Sequence, residues 1–201
     1  MTLMTWSFLR AAGITAYLLL WASTCLGLAG RARLAAGLGR GLERWWMEAH
    51  RWLGLLGMAF TAAHLGGLLA DRHTPFTWSA ILVPGAAPVR AAGSALGTLS
   101  LYGFAVALVA VGLRGRLGAG AWQVLHACSV VAFGLALVHG VVTGTDAGLP
   151  WVRGMYVGTG IVFLVFSLYR GVQAWRESWA AGGRVRPSRL PAGIPQASEE
   201  G

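Results

Sequence analysis

Residues 50–64 read HRWLGLLGMAFTAAH and residues 126–139 read HACSVVAFGLALVH, and these two stretches decide the fold. Each is an apolar segment with a histidine at both ends, and neither contains an acidic residue or a lysine. Fourteen helical residues rise about 21 Å and thirteen rise about 19 Å, which is most of the roughly 30 Å hydrocarbon core of a bilayer. The two stretches therefore predict membrane-spanning helices with one histidine near each edge of the apolar layer.

The rest of the chain has the composition of a membrane protein. Of its 201 residues 56% are apolar and only 11% are charged, whereas soluble domains average about 25% charged residues. Five apolar runs are long enough, or nearly so, to cross a bilayer, which predicts an all-α bundle of five transmembrane helices. These runs cover residues 11–29, 53–70, 91–113, 119–142 and 152–169, and the second helix is expected to begin earlier, near Glu48. A sixth apolar piece, 76–83, is too short and is interpreted as a loop or a surface-lying segment.

The positive charges predict the orientation of this bundle. All sixteen cationic residues are arginines; twelve fall in loops and in the tail on one side, and four fall on the other. The positive-inside rule then places the N-terminus on the outer side of the membrane and the C-terminus on the cytoplasmic side. We expect a multi-pass protein of the cell (inner) membrane. Arginines in short loops between apolar runs are topology signals, so the net charge of +9 does not indicate nucleic-acid binding.

This orientation divides the chain into three parts. Residues 1–7 are predicted to form an external N-terminus, 8–180 the transmembrane domain, and 181–201 a disordered cytoplasmic tail rich in Pro, Ser, Gly and Glu. The first apolar run is not predicted to be a cleaved signal peptide, because its arginine cluster follows the run instead of preceding it.

The four histidines are candidate functional groups, because ionisable side chains at bilayer depth are costly. His50 and His64 are nearly four whole helical turns apart and share a face, with small residues between them. That small-residue stripe fits either a bulky planar ligand or helix packing. His126 and His139 do not share a face on an ideal helix, so a bend at Gly134 or ligand approach from two sides is needed.

Paired histidines at two depths indicate two metal sites with two ligands each. Zinc needs three or four ligands at one point, which the separation of about 20 Å prevents for all four. Haem iron takes two axial ligands. We expect His50 and His126 to ligate an inner haem and His64 and His139 an outer one.

The histidine spacing resembles that of a known family. Together with the run Trp122-Gln-Val-Leu-His126 and the run HGVVTGTD at 139–146, it makes residues 8–176 similar to the ferric reductase-like transmembrane domain. This family includes ferric reductases, NADPH oxidases and the membrane haem subunit of the bacterial methionine sulfoxide reductase system. The resemblance implies a stand-alone membrane component with two haem b groups.

The same resemblance implies transmembrane electron transfer by an oxidoreductase component. No Gly-rich dinucleotide fingerprint is present, so FAD or quinol would act only through a partner, namely a separate flavoprotein reductase or quinol as electron donor. The external acceptor would be Fe(III), oxygen or a partner protein. Two axial histidines leave iron no open position, which suits outer-sphere transfer.

Arginines near the two sites are candidates for binding haem propionates, because the guanidinium fork matches a carboxylate. Arg51 and Arg114 are the inner candidates, and Arg72 and Arg153 the outer ones; topology signal or contact with membrane lipid is the alternative role for each. Asp146 closes the second histidine helix and is expected to pair with Arg72 or Arg153, or to position an acceptor cation.

Two other functions are compatible with the sequence. A quinol-linked respiratory-type cytochrome b subunit also pairs histidines on two helices, and reduction by menaquinol but by no flavoprotein would favour it. A non-redox membrane transporter with a histidine relay would be colourless after purification.

Overall fold

The computed structural model describes residues 3–32, 39–71 and 76–182, and within these ranges it contains helices and no strand. The helices are α1 (Leu3–Arg31), α2 (Arg40–Ala70), α3 (Trp78–Leu82), α4 (Ala91–Gly112), α5 (Ala119–Thr143) and α6 (Pro150–Gly182). All of them except α3 are long and apolar enough to span a membrane. The prediction of an all-α protein with five helices of membrane-spanning length and composition is confirmed.

Three of these helices extend well past the predicted apolar spans. α1 starts at Leu3, within the predicted external N-terminus, α2 starts at Arg40, and α6 continues to Gly182. The added turns contain Arg, Trp and Glu, which lower the mean hydropathy of a segment without preventing helix formation. Residues 183–201 of the predicted tail lie outside the described ranges.

The short apolar piece at 76–83 forms a surface helix and not a span. Thr77 caps α3, because its hydroxyl accepts a hydrogen bond from the backbone N–H of Ala80 at 3.2 Å. Ile81 is buried, and its carbonyl accepts a hydrogen bond of 2.8 Å from the Thr98 hydroxyl of α4. The segment therefore packs against the bundle by one face.

The spanning helices form two antiparallel pairs, α1 with α2 and α4 with α5, and α6 packs on α1 and α5. An aromatic core joins the two pairs. Phe133 of α5 is fully buried, with its ring centre 5.4 Å from that of Tyr17 and 4.9 Å from that of Phe163. The Tyr17 hydroxyl is also hydrogen-bonded to Thr159 of α6 at 2.5 Å. Buried side chains thus fix α1 against α5 and α6.

Glycines bring α1 and α2 close together. A Cβ on Gly57 would lie 2.7 Å from the side chain of Leu20, and one on Gly54 would lie 3.1 Å from the hydroxyl of Ser23. The small-residue stripe of α2 therefore faces α1, and helix packing is the role that these two glycines have in the fold.

An ion pair joins α1 to the segment that follows α5. Arg10 pairs with Asp146, and its guanidinium lies 3.9 Å from the ring centre of Trp6. The expected partners of Asp146 were Arg72 or Arg153, and for Arg153 that expectation is wrong. Asp146 pairs instead with Arg10 because α1 lies beside α5, whereas Arg72 is outside the described residues.

We expect Gly57→Val to destabilise the protein by about 1–3 kcal/mol, because the added side chain overpacks the contact with Leu20. Gly66→Val is the matched control, since Gly66 is on the same helix and a Cβ there meets nothing within 4 Å. Thermal unfolding in detergent, followed by tryptophan fluorescence, measures both. Equal melting temperatures for the two variants would contradict the described packing.

Candidate haem-binding site

The structure brings His50 and His126 into contact, as they were paired from the sequence. Their ring centres are 5.9 Å apart, and the rings are nearly perpendicular at 86°. His64 and His139 are near enough for the charge on one ring to affect the other. A direct pairing of His64 with His139, and the ligation of iron by either pair, stay predictions.

Three of these imidazoles are each held by a hydrogen bond from Nδ1 to a backbone carbonyl of a neighbouring helix. Nδ1 of His64 is 3.0 Å from the carbonyl oxygen of Leu9, Nδ1 of His50 is 2.8 Å from that of Ser23, and Nδ1 of His139 is 2.8 Å from that of Gly93. A carbonyl only accepts, so Nδ1 carries the proton in each ring. The lone pair is then on Nε2, which is the tautomer that ligates a metal through Nε2.

A glycine lies beside each of these acceptor carbonyls, four residues further along the helix. A Cβ on Gly13 would lie 3.1 Å from the ring of His64, one on Gly27 would lie 3.1 Å from His50, and one on Gly97 would lie 2.8 Å from His139. In an α-helix the carbonyl of residue i lies next to residue i+4, whose Cβ tilts back towards it. Glycine at i+4 leaves that carbonyl open to a side chain from the neighbouring helix. We call each glycine with its carbonyl a glycine notch.

The notches on α1 match the histidines of α2 in spacing. Gly13 and Gly27 are fourteen residues apart, as are His50 and His64 on the antiparallel neighbour. Sequence reasoning missed these glycines and their acceptor carbonyls. The shared spacing was the signal that could have identified Gly13 and Gly27, but nothing comparable marks Gly97.

His126 is held differently from the other three. Its Nδ1 is buried and makes no hydrogen bond of normal geometry to any described residue, although the backbone carbonyl of Ala107 is near the ring. Its ring instead stacks on Trp122, with centres 5.5 Å apart and planes 8° from parallel. The two histidines of α5 therefore have different surroundings.

The thirteen-residue spacing on α5 is accommodated without a break in the helix. The helix is continuous from Ala119 to Thr143, including Gly134, where a bend was the alternative. His139 is bonded to Gly93 of α4 beside Gly97, and His126 lies against His50 of α2 with the Ala107 carbonyl of α4 near its ring. Both rings therefore lie beside α4, where the two backbone carbonyls near them belong to residues fourteen apart.

The donor set fits a bis-histidine haem. At metal–nitrogen bonds of about 2 Å, two imidazoles on opposite sides of one metal have ring centres about 6 Å apart, whatever the twist between their planes. The separation of 5.9 Å between His50 and His126 agrees with this geometry. Within the described residues no group of three or more His, Cys, Asp or Glu side chains is arranged to hold a metal ion. A porphyrin supplies four nitrogens itself and needs only two ligands from protein.

The candidate propionate-binding arginines are placed unevenly. The guanidinium of Arg114 lies 4.6 Å from the ring centre of Trp122, the residue that stacks on His126. Arg51 is exposed, with its guanidinium 5.3 Å from the ring centre of Trp52. Arg153 is exposed on the first turn of α6, and Arg72 lies outside the described ranges. Arg114 is therefore the candidate that contacts a side chain packed on a proposed ligand.

The chain matches no protein-family model, and no curated protein or solved structure is significantly similar to it. The site is therefore interpreted from its own geometry.

We expect Gly97→Ala to displace the His139 ring, because the new methyl group would lie 2.8 Å from it. The hydrogen bond to Gly93 would then be lost. NMR of protein labelled with ¹⁵N-histidine measures the Nδ1–H signal of His139 directly. Gly112→Ala is the control, since Gly112 ends the same helix and a Cβ there meets nothing within 4 Å. An unchanged His139 signal in Gly97→Ala would show that the notch does not orient the ring.

Proposed function

We propose that this protein is the membrane haem component of an oxidoreductase and carries electrons across the membrane through two b-type haems. His50 and His126 would ligate one haem at the cytoplasmic side, and His64 and His139 the other at the external side. The observation that carries the proposal is the opposed pair His50 and His126, with ring centres 5.9 Å apart.

The hydrogen bonds at Nδ1 support this proposal independently. Metal-ligating histidines almost always donate their second ring N–H to a carboxylate, a backbone carbonyl or a water. His50, His64 and His139 do so to a neighbouring helix, which fixes both the tautomer and the ring direction. A histidine relay in a transporter needs rings that exchange protons on both nitrogens, and three such fixed rings are poorly suited to that role.

The haem supplies a one-electron Fe(III)/Fe(II) couple when bound. The residues of the chain supply the conditions for its use. Donation from Nδ1 to Leu9, Ser23 or Gly93 makes the opposite nitrogen a stronger ligand. Two histidines from the chain would hold each haem, and this ligand set would favour electron transfer over oxygen binding at iron. Arg114 is the first candidate to pair with a propionate at the inner site.

The arginine distribution supports the orientation, and the family resemblance supports the direction of transfer. The proposed orientation has the N-terminus on the outer side of the cell membrane and the end with His50 and His126 on its cytoplasmic side. Electrons would enter there from a flavoprotein or from quinol. They would leave at the end with His64 and His139, to Fe(III), oxygen or a partner protein. The family resemblance supports this order of donor and acceptor.

Single histidine variants test the pairing. We expect His50→Ala and His126→Ala to abolish the same component of the reduced-minus-oxidised spectrum, because each removes one axial ligand of the same iron. His64→Ala and His139→Ala should both abolish the other component. Haem content per chain, measured as the pyridine haemochrome, should fall from two to one in each variant.

Two results would contradict the proposal. Loss of different spectral components in His50→Ala and His126→Ala would show that the pairing is wrong. A purified wild-type protein without haem would exclude electron transfer through haem and favour the transporter.

Electron transfer across a bilayer is tested in vesicles that contain the protein and enclose ferricyanide. Dithionite added outside should reduce the enclosed ferricyanide with the wild-type protein, irrespective of its orientation. Each of the four His→Ala variants should lower the rate to that of protein-free vesicles, because transfer over about 20 Å requires both haems. A variant with one haem that retains the wild-type rate would contradict a two-haem path.

A further inference from the structure

Trp122 has a position that the proposed function does not yet use. It lies four residues before His126 on α5, where side chains one turn apart are neighbours. Its ring stacks on that of His126 with planes 8° from parallel. The near-parallel planes show that Trp122 contacts His126 through the face of its ring. The indole Nε1 is buried and has no hydrogen-bond partner among the described residues.

Arg114 reinforces this position. It lies between α4 and α5, and its guanidinium is 4.6 Å from the centre of the Trp122 ring, within the range of a cation–π interaction. Arg114, Trp122 and His126 thus form a contact series that starts in the loop and ends at the proposed ligand. We call it the Trp122 stack.

At His126, stacking on Trp122 replaces the hydrogen bond that the other three histidines donate to a backbone carbonyl. His50, His64 and His139 each lie against a glycine and donate to a carbonyl four residues before it. In the α4–α5 pair His139 meets Gly97, four residues after the Gly93 carbonyl, whereas the carbonyl near the His126 ring is that of Ala107 and the residue four further along α4 is Val111. A notch there would need glycine in place of Val111, and Nδ1 of His126 makes no hydrogen bond of normal geometry to a described residue.

We propose that Trp122 is a positioning residue that holds the His126 ring in its ligating orientation by stacking. The proposal rests on the proposed function, because it concerns a ligand of the inner haem. Without the hydrogen bond at Nδ1, His126 is the weaker donor of its pair. Removal of the stacking surface therefore opens the coordination position of His126, while that of His50, which is bonded to Ser23, stays closed.

The test uses the full-length, haem-loaded protein and carbon monoxide as the probe of an open coordination position. Trp122→Met fills the space with a flexible side chain and removes the planar surface. Trp122→Phe retains a ring that can stack. Trp175→Leu is the control, because Trp175 is an exposed tryptophan of α6 whose ring contact among the described residues is an edge-to-face one with Trp179.

We expect the reduced wild-type protein, Trp122→Phe and Trp175→Leu to show no change in spectrum with carbon monoxide. Trp122→Met should bind it at one of the two haems, namely the component that His126→Ala abolishes. The affinity for that haem should also fall about 10-fold or more, as for the loss of other groups that orient a ligand. The component assigned to His64 and His139 should be unchanged, which shows in the same sample that the variant is folded.

The outcomes separate the two proposals. A wild-type protein without haem overturns both. Two haems in the wild type, together with a Trp122→Met variant that does not react with carbon monoxide, overturn the role of Trp122 alone. Equal carbon monoxide binding by Trp122→Met and Trp122→Phe also overturns it, because a ring that stacks would then give no rescue. If Trp122→Met does not retain the outer component, Trp122→Leu replaces it, since Leu also removes the planar surface; reactivity with carbon monoxide then supports the role of Trp122 and its absence overturns it.

Discussion

The hydrogen bond from a histidine of one helix to a backbone carbonyl of the next is the constraint on which the site depends. A helix carbonyl is already bonded within its own helix and is normally covered by the side chain four residues later. Glycine at that position exposes it and lets the imidazole approach, as Gly27 does for His50. The same glycine fixes the distance and register of the two helices. The same glycines therefore determine both the helix packing and the ring orientation at this site.

The sequence predicts the five helices of membrane-spanning length well, because apolar runs are a local pattern. The spacing of His50, His64, His126 and His139 is also local, and it selects these four residues as candidate ligands. Helix ends are less predictable, since α2 begins at Arg40 in a segment rich in arginine and tryptophan that hydropathy does not assign to a span. The partner of Asp146 and the notch at Gly97 depend on which helices become neighbours, and that is a tertiary property without a local signal.

The two ends of the bundle differ in how their charges are compensated. At one end Arg10 is paired with Asp146, so its charge is largely neutralised near the histidines of that end. At the other end Arg31 is near enough to His126 to interact electrostatically, and Arg114 lies over Trp122. A negative charge added at that end would be stabilised by these cations, more strongly in a low-dielectric interior than in water.

The arrangement of the notches has a consequence for how the protein matures. Each notch lies within one helical hairpin: α1 orients both histidines of α2, and α4 orients His139 of α5. A hairpin that inserts into the bilayer can therefore set its imidazoles before it meets the other hairpin. Fixing a mobile side chain at the moment of binding costs about 0.5–1.5 kcal/mol. That cost is incurred during insertion for three of the four rings, so a porphyrin that arrived later, as we propose, would meet donors already oriented, and only the fourth ring would need a different restraint.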